Sequence, residues 1–179
     1  MSQIASTYAE ALYSLAKEEN LTDSVLQQLT VLRESFAAEP DFLRLMNAAN
    51  LSKEERCGIL DDSFRGKVEP YVLNFMKILT EKGYMGHFAD FVKAYRDAYN
   101  LDHGILPVKA VTAVPMTEDQ IARLTEKLAK ITGKTIEVQC RVDPAVLGGV
   151  RLDYDGKRVD GTVQSRLDAV SNLLKNTVL

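Results

Sequence analysis

The sequence predicts an α+β protein. An all-α six-helix bundle over residues 1–103 is followed by a small α/β unit over 104–179, with a short sheet and a terminal helix. Three observations predict this. Apolar residues recur at helical spacing up to about residue 100, with no convincing strand. After Asp102-His103-Gly104 the texture changes to β-branched runs and period-two alternation. The charge changes at the same place, from 11 basic and 16 acidic residues through His103 to 11 basic and 9 acidic beyond it. Such asymmetry accompanies units with separate partners. With 179 residues, 46% hydrophobic and 26% charged, the chain can bury a sizeable core and is too apolar for wholesale disorder.

The elements follow in order. Ile4, Tyr8, Leu12 and Leu15 recur at helical spacing, with Ala5, Ala9, Ala11 and Ala16 between them. Thr22 is placed to cap a second helix, whose stripe is Val25, Leu29, Leu32 and Phe36 and which should stop before Pro40. A short segment carries Phe42, Leu43, Leu45 and Met46. Ser52 with Glu55 forms a capping box that opens a helix with Ile59, Leu60 and Phe64. Pro70 suits the first turn of the next helix, which runs to about Lys82 and closes at Gly83. The last helix carries Met85, Phe88, Phe91, Val92, Tyr95 and Tyr99. Short helices on short loops read as a bundle.

Beyond Gly104, Ile105 to Val114 reads as a strand ending at Pro115. Thr117 and Gln120 form a second capping box, opening a helix with Ile121, Leu124, Leu128 and Ile131 that closes at Gly133. Ile136, Val138, Cys140 and Val142 alternate as on a half-buried strand. Gly148-Gly149 precedes Val150, Leu152 and Tyr154, and Asp155-Gly156 is a hairpin turn into Lys157-Arg158-Val159. A final helix has Val163, Leu167, Val170 and Leu174 on one stripe, with Asp160 at its N-cap.

Residues that carry chemistry are sparse. Cys57 and Cys140 lie far apart, outside any CxxC spacing, which argues against a disulfide scaffold or a zinc site. His87 and His103 have no companions at metal-ligand spacing. Asp153-Tyr154-Asp155-Gly156 lacks the remaining ligand positions of a calcium loop and reads as a turn. Gly148-Gly149 lacks the Lys-Ser/Thr of a phosphate loop and reads as a bulge or close backbone approach. No catalytic residue, cofactor or metal is expected. No segment approaches the length of a membrane span, and Met1 to Ser6 lacks a secretory signal, so cytoplasmic residence is the expectation. There is no dense basic field for nucleic acid.

Apolar surface, by contrast, is in excess. The helix at Tyr71 to Lys82 carries Val72, Phe75, Met76 and Leu79, widened by Tyr71 and Ile78 beyond the roughly 100° stripe of a core-facing helix. The first helix is similarly apolar on two flanks. Either these helices are buried on several sides, or they leave a groove that accepts a partner's amphipathic helix. The groove candidates are Ile4, Tyr8, Ala11 and Leu15 with Phe75, Ile78 and Leu79, of which Phe75 and Leu79 fit groove and core equally. Two other function classes compete. One is a small α+β enzyme binding phosphate esters through Gly148-Gly149 and Lys157-Arg158, and the other an RNA-binding adaptor using the slightly basic C-terminal part.

Tyr8 to Leu12, Asn74 to Gly83 and Val142 to Leu167 together resemble the delta subunit family of the F-type ATP synthase, relatives of the mitochondrial oligomycin-sensitivity-conferring protein. Tyr8-Ala9-Glu10-Ala11-Leu12 is similar to the family's opening helix. Asn74-Phe75-Met76-Lys77-Ile78-Leu79 leading to Glu81-Lys82-Gly83 is similar to its mid-chain segment. Val142 to Val150, followed by Val159-Asp160-Gly161-Thr162-Val163 and Leu167, matches its C-terminal motif in order and spacing. Thr7 and Tyr84 stand where the family commonly has Arg, and Thr162 where it has Ser.

The resemblance implies a non-catalytic stator. Its helical part would bind the N-terminal helix of an alpha subunit on the catalytic head. Its C-terminal part would hold the C-terminal ends of the b subunits, with Gly148, Gly149, Asp160 and Gly161 as stalk-binding or structural residues. Membrane association would come only through the complex, at the cytoplasmic face of a bacterial inner membrane, or at a plastid thylakoid had a transit peptide been removed.

Overall fold

The computed structural model describes residues 2–48, 51–146 and 148–162, and within them the protein is mostly helical with one small sheet. The chain divides into two compact units, Met1–Tyr99 and Asn100–Leu179. The division falls in the last turn of a helix, four residues before the glycine that the sequence suggested as the boundary.

In the first unit, α1 (Ser2–Glu18) turns its alanines inward: Ala5, Ala9 and Ala16 are buried with Leu12 and Tyr13. It ends on Asn20 in the left-handed region, where the Leu21 amide donates to the Ala16 carbonyl at 2.8 Å. That turn feeds directly into α2 (Thr22–Ala38). Thr22, expected as the cap, is therefore already helical. Leu21 occupies the cap position without a side-chain bond, and its carbonyl accepts from the Val25 amide. The stripe Val25, Leu29, Leu32 and Phe36 is buried. Pro40 opens α3 (Pro40–Met46), a short helix that buries Met46.

Both halves of the Ser52–Glu55 capping box are formed at the start of α4 (Lys53–Phe64): the Glu55 amide donates to Ser52 Oγ at 3.1 Å, and the Ser52 amide to Glu55 Oε2 at 2.8 Å. Pro70 occupies the first turn of α5 (Pro70–Glu81). Gly83, at φ +74°, lets the chain reverse while Gly83 N–H reaches the Thr80 carbonyl and Tyr84 N–H the Leu79 carbonyl. Met85 then sits on a 3₁₀ turn (Met85–His87), not within the following helix, because the chain is still completing that reversal. Helix α6 (Phe88–Asp102) buries Phe88, Phe91, Val92 and Tyr95.

Asp61 ties α4 to α5. Its carboxylate lies 2.6 Å from Lys77 Nζ and 3.1 Å from Arg65. The Lys77 bond, aided by Arg65, holds the Asp61 carboxyl below the usual carboxylate range against the opposing effect of burial.

In the second unit, β1 (Ile105–Thr112) pairs in parallel with β2 (Thr135–Val142) across helix α7 (Glu118–Thr132). It pairs antiparallel with β3 (Val150–Tyr154), which forms a hairpin with β4 (Lys157–Asp160), giving the order β2-β1-β3-β4. Strand β1 stops two residues short of the expected Val114, because Thr112 Oγ1 donates to the Val114 carbonyl at 2.7 Å and bends the chain. The Thr117–Gln120 box and the left-handed Gly133 bracket α7 as the sequence indicated. Leu124, Leu128 and Ala129 pack over Leu106, Val108, Ala110, Ile136 and Leu152. Ile131, expected on that stripe, is exposed in the final helical turn. The β2 alternation buries Ile136 and half-buries Val138. Cys140 and Val142 are exposed on a strand with one neighbour among the described residues. Asp155 and Gly156 both have positive φ, as a tight hairpin demands. The predicted terminal helix with Val163, Leu167, Val170 and Leu174 lies outside the described residues.

Two measurements test these elements. Ser52→Ala should cost about 1 kcal/mol, read from thermal unfolding by circular dichroism, while Ser52→Asp should keep most of the stability. The depressed Asp61 value gives stability that is present above the ordinary carboxylate pKa and is lost as pH falls through the folded-state value. Asp61→Asn should therefore lower the melting temperature at neutral pH and converge with the parent protein in acid.

Candidate functional site

Helix α5 is buried along most of its circumference by Val72, Leu73, Phe75, Met76, Leu79 and Thr80. Among the α5 residues left exposed or half-buried, Tyr71, Asn74 and Ile78 form one line, spaced i, i+3, i+7. Helix α1 presents the matching line. Its alanines face the core together with Leu12 and Tyr13, while Tyr8, Ala11 and Leu15 stand toward the flank. Tyr8 is half-buried, Ala11 is exposed, and Leu15 keeps 38% of its surface. Between the two lines runs a groove of about 340 Å³, lined by Tyr8, Ala11, Leu12, Leu15, Tyr71, Asn74, Phe75 and Ile78.

An aromatic cluster backs one end of the groove. The Tyr8 ring meets Phe91 edge-on at 6.1 Å between centroids and Tyr84 at 6.4 Å, Tyr84 stacks on Phe91 at 6.3 Å, and Phe75 meets Phe91 at 6.0 Å. Such contacts fix ring orientation beyond simple burial. At the opposite end, the Glu19 carboxylate, followed by burial, pushes the Tyr71 phenol above its ordinary pKa. Glu19 thus lies near Tyr71, and Tyr8 with Phe75 near Phe91, so α1 and α5 flank the groove in opposite directions.

The sequence candidates divide under this geometry. Tyr8, Ala11, Leu15, Phe75 and Ile78 are brought together as lining. Phe75 serves core and groove at once, with 5% of its surface exposed. Leu79 does not belong to the groove. It is wholly buried, because it lies on the α5 face with Val72 and Met76, one step of the helix away from Ile78. Ile4 is 38% exposed on α1 but lies outside the lining. Leu12, Tyr71 and Asn74 complete the site and were not among the candidates. Their signal was present in the spacing, since Tyr71, Asn74 and Ile78 share a helix face.

Three of the four C-terminal candidates, Gly149, Asp160 and Gly161, shape the local backbone. Gly149 has φ +85°, and a Cβ there would stand 2.5 Å from the Gly161 carbonyl oxygen and 2.9 Å from Thr162 Cα. Gly161 N–H donates to the Val150 carbonyl at 3.0 Å, and a Cβ at Gly161 would meet that same oxygen at 3.1 Å. Asp160 Oδ1 accepts from the Thr162 amide at 2.9 Å, and bonds to Thr162 hold its carboxyl below the usual range. These residues close the segment before β3 against the segment after β4. Arg158, half of the suggested phosphate-binding pair, is engaged instead by Asp153, with Nε 2.7 Å from Oδ1.

The chain matches the family model described as the ATP synthase delta (OSCP) subunit over residues 4–174. It belongs to that family. It is 31% identical over 176 residues to the ATP synthase subunit delta of Clostridioides difficile (strain 630), covering 98% of this chain and 97% of the relative. It is 32% identical over 176 residues to that of Alkaliphilus oremlandii (strain OhILAs), covering 98% of both. The fold is shared with a chain in the cryo-EM structure of the Toxoplasma gondii mitochondrial ATP synthase hexamer, at a TM-score of 0.74 and 19% identity, covering 95% of this chain and 96% of that one. As a member of the delta/OSCP family, the protein is a peripheral-stalk subunit of the F-type ATP synthase, a structural stator component without catalysis of its own. It is peripheral to the membrane complex, and none of its described helices is long and apolar enough to cross a membrane.

A glycine comparison tests the C-terminal closure. Gly156→Ala, at φ +68° in open space, should cost only the left-handed strain of about 1–2 kcal/mol. Gly149→Ala adds a clash with the Gly161 backbone, so its urea midpoint should fall clearly below that of Gly156→Ala.

Proposed function

We propose that the α1–α5 groove receives the N-terminal helix of an alpha subunit of the catalytic head. In this reading the six-helix bundle over residues 1–103 faces the head. Residues 104–179 hold the C-terminal ends of the b subunits, at the cytoplasmic face of a bacterial inner membrane. The observation that supports the reading is a mostly apolar groove between two neighbouring helices whose opposite faces are buried. A groove so built suits the i, i+3, i+4, i+7 anchors of an amphipathic helix. Gly148, Gly149, Asp160 and Gly161 would shape the surface offered to the stalk.

The physics of a stator favours this arrangement. Carrying two binding modules in one chain makes the second attachment intramolecular and raises its effective concentration. Load-bearing contact needs slow dissociation, and apolar anchors buried in a groove act chiefly on the off-rate. The head is thereby held while the central shaft turns, so that rotation drives ATP synthesis.

Leu15→Asp and Ile78→Asp test it, since both side chains are substantially exposed and neither change should unfold the bundle. By isothermal titration with a peptide of the alpha-subunit N-terminus, each should weaken binding at least tenfold, about 1.4 kcal/mol. The melting temperature should stay close to that of the parent protein, and capture of b subunits should persist. Unchanged affinity in both variants would remove the groove from the account.

A further inference from the structure

The groove is apolar except at three side chains: Tyr8, Tyr71 and Asn74. Tyr71 is engaged by Glu19 at the groove end. The Tyr8 ring is held by Tyr84 and Phe91, and a phenol carries its hydroxyl far enough from the backbone to stay in contact with water at a rim. Asn74 differs from both. It sits one turn beyond Tyr71 and one turn before Ile78 on the open line of α5, and it is exposed. Its carboxamide has no hydrogen-bond partner among the described residues. The amide offers two donors and an acceptor on a short stem, which a helix laid along the groove would cut off from water. Burying it unpaired would oppose binding, because the amide would lose its hydrogen bonds to water without replacement.

We propose that Asn74 is the specificity-determining residue of the groove. In this proposal the bound helix carries one hydrogen-bonding side chain on its otherwise apolar face, and pairing with the Asn74 carboxamide fixes the register of that helix. The inference rests on the groove being the docking site for the alpha-subunit N-terminal helix. Apolar anchors alone tolerate sliding by a helical turn. A single polar pair within an apolar seam removes that freedom, because every other register leaves both polar groups unpaired.

The experiment has a decisive sign. Asn74→Leu enlarges the apolar surface of the groove, so a purely apolar slot would bind the alpha-subunit N-terminal peptide more tightly or unchanged. A polar pin predicts the reverse, a loss of about tenfold in affinity for the full-length Asn74→Leu protein. Asn74→Ala, which adds no apolar bulk, should show a similar loss, and both should melt close to the parent temperature. In a double-mutant cycle with alanine substitutions along the peptide, one polar position should couple to Asn74 and the rest should not. Equal or tighter binding by Asn74→Leu, with Ile78→Asp still disruptive, would overturn the pin and leave the groove standing. Binding indifferent to Asn74→Leu and Ile78→Asp alike would overturn both.

Discussion

The small side chains on the inward face of α1 set the geometry of the helical unit. Ala5, Ala9 and Ala16 are almost entirely buried, and with no bulk beyond Cβ they let the α1 backbone lie close against the core. The helix gains its attachment from Leu12 and Tyr13 and keeps Tyr8, Ala11 and Leu15 toward its flank. Larger residues at the three alanine positions would lift α1 away from the core and alter the width of the furrow beside it.

Helix α5 meets the opposite demand. It is the most apolar helix of the bundle, and six of its side chains are buried, including Thr80, whose hydroxyl donates to the Met76 carbonyl at 2.9 Å. A helix so enclosed has little freedom to shift, which makes its remaining open line a fixed edge. The ends are fixed as well, by Pro70 at the start and the Gly83 reversal at the finish. The sheet unit uses a different device for a similar purpose. Backbone-to-backbone closeness at Gly149 and Gly161 holds two chain segments together where side chains would not fit.

Much of this was legible in residue spacing. Both capping boxes, the end of α2 before Pro40, the proline at the start of α5, the buried stripe of α2 and the Asp155-Gly156 hairpin follow from local chemistry that needs only a few neighbouring residues. The errors came where a distant or continuing chain decides. Thr22 was displaced from its cap because the α1 turn runs straight into α2. Ile131 had the right period but lies exposed in the last turn of α7. On α1 both flanks are apolar, and the flank of Ala5, Ala9, Leu12 and Ala16 took the interior. Periodicity identifies a face but not its direction when both flanks are apolar. Leu79 and Ile78 show the same limit, since adjacent residues on a wide stripe part company only once neighbouring helices are in place.

The ring cluster behind the groove has a consequence for conditions of use. Tyr8, Tyr84, Phe91 and Phe75 support one end of the slot through aromatic faces and edges rather than through ion pairs. Salt screens exposed charges over distances of about a nanometre but leaves contacts of this kind nearly untouched. A helix seated there would keep its hold when osmotic stress concentrates the surrounding ions, so the coupling would outlast swings in the ionic medium that loosen charge-based assemblies.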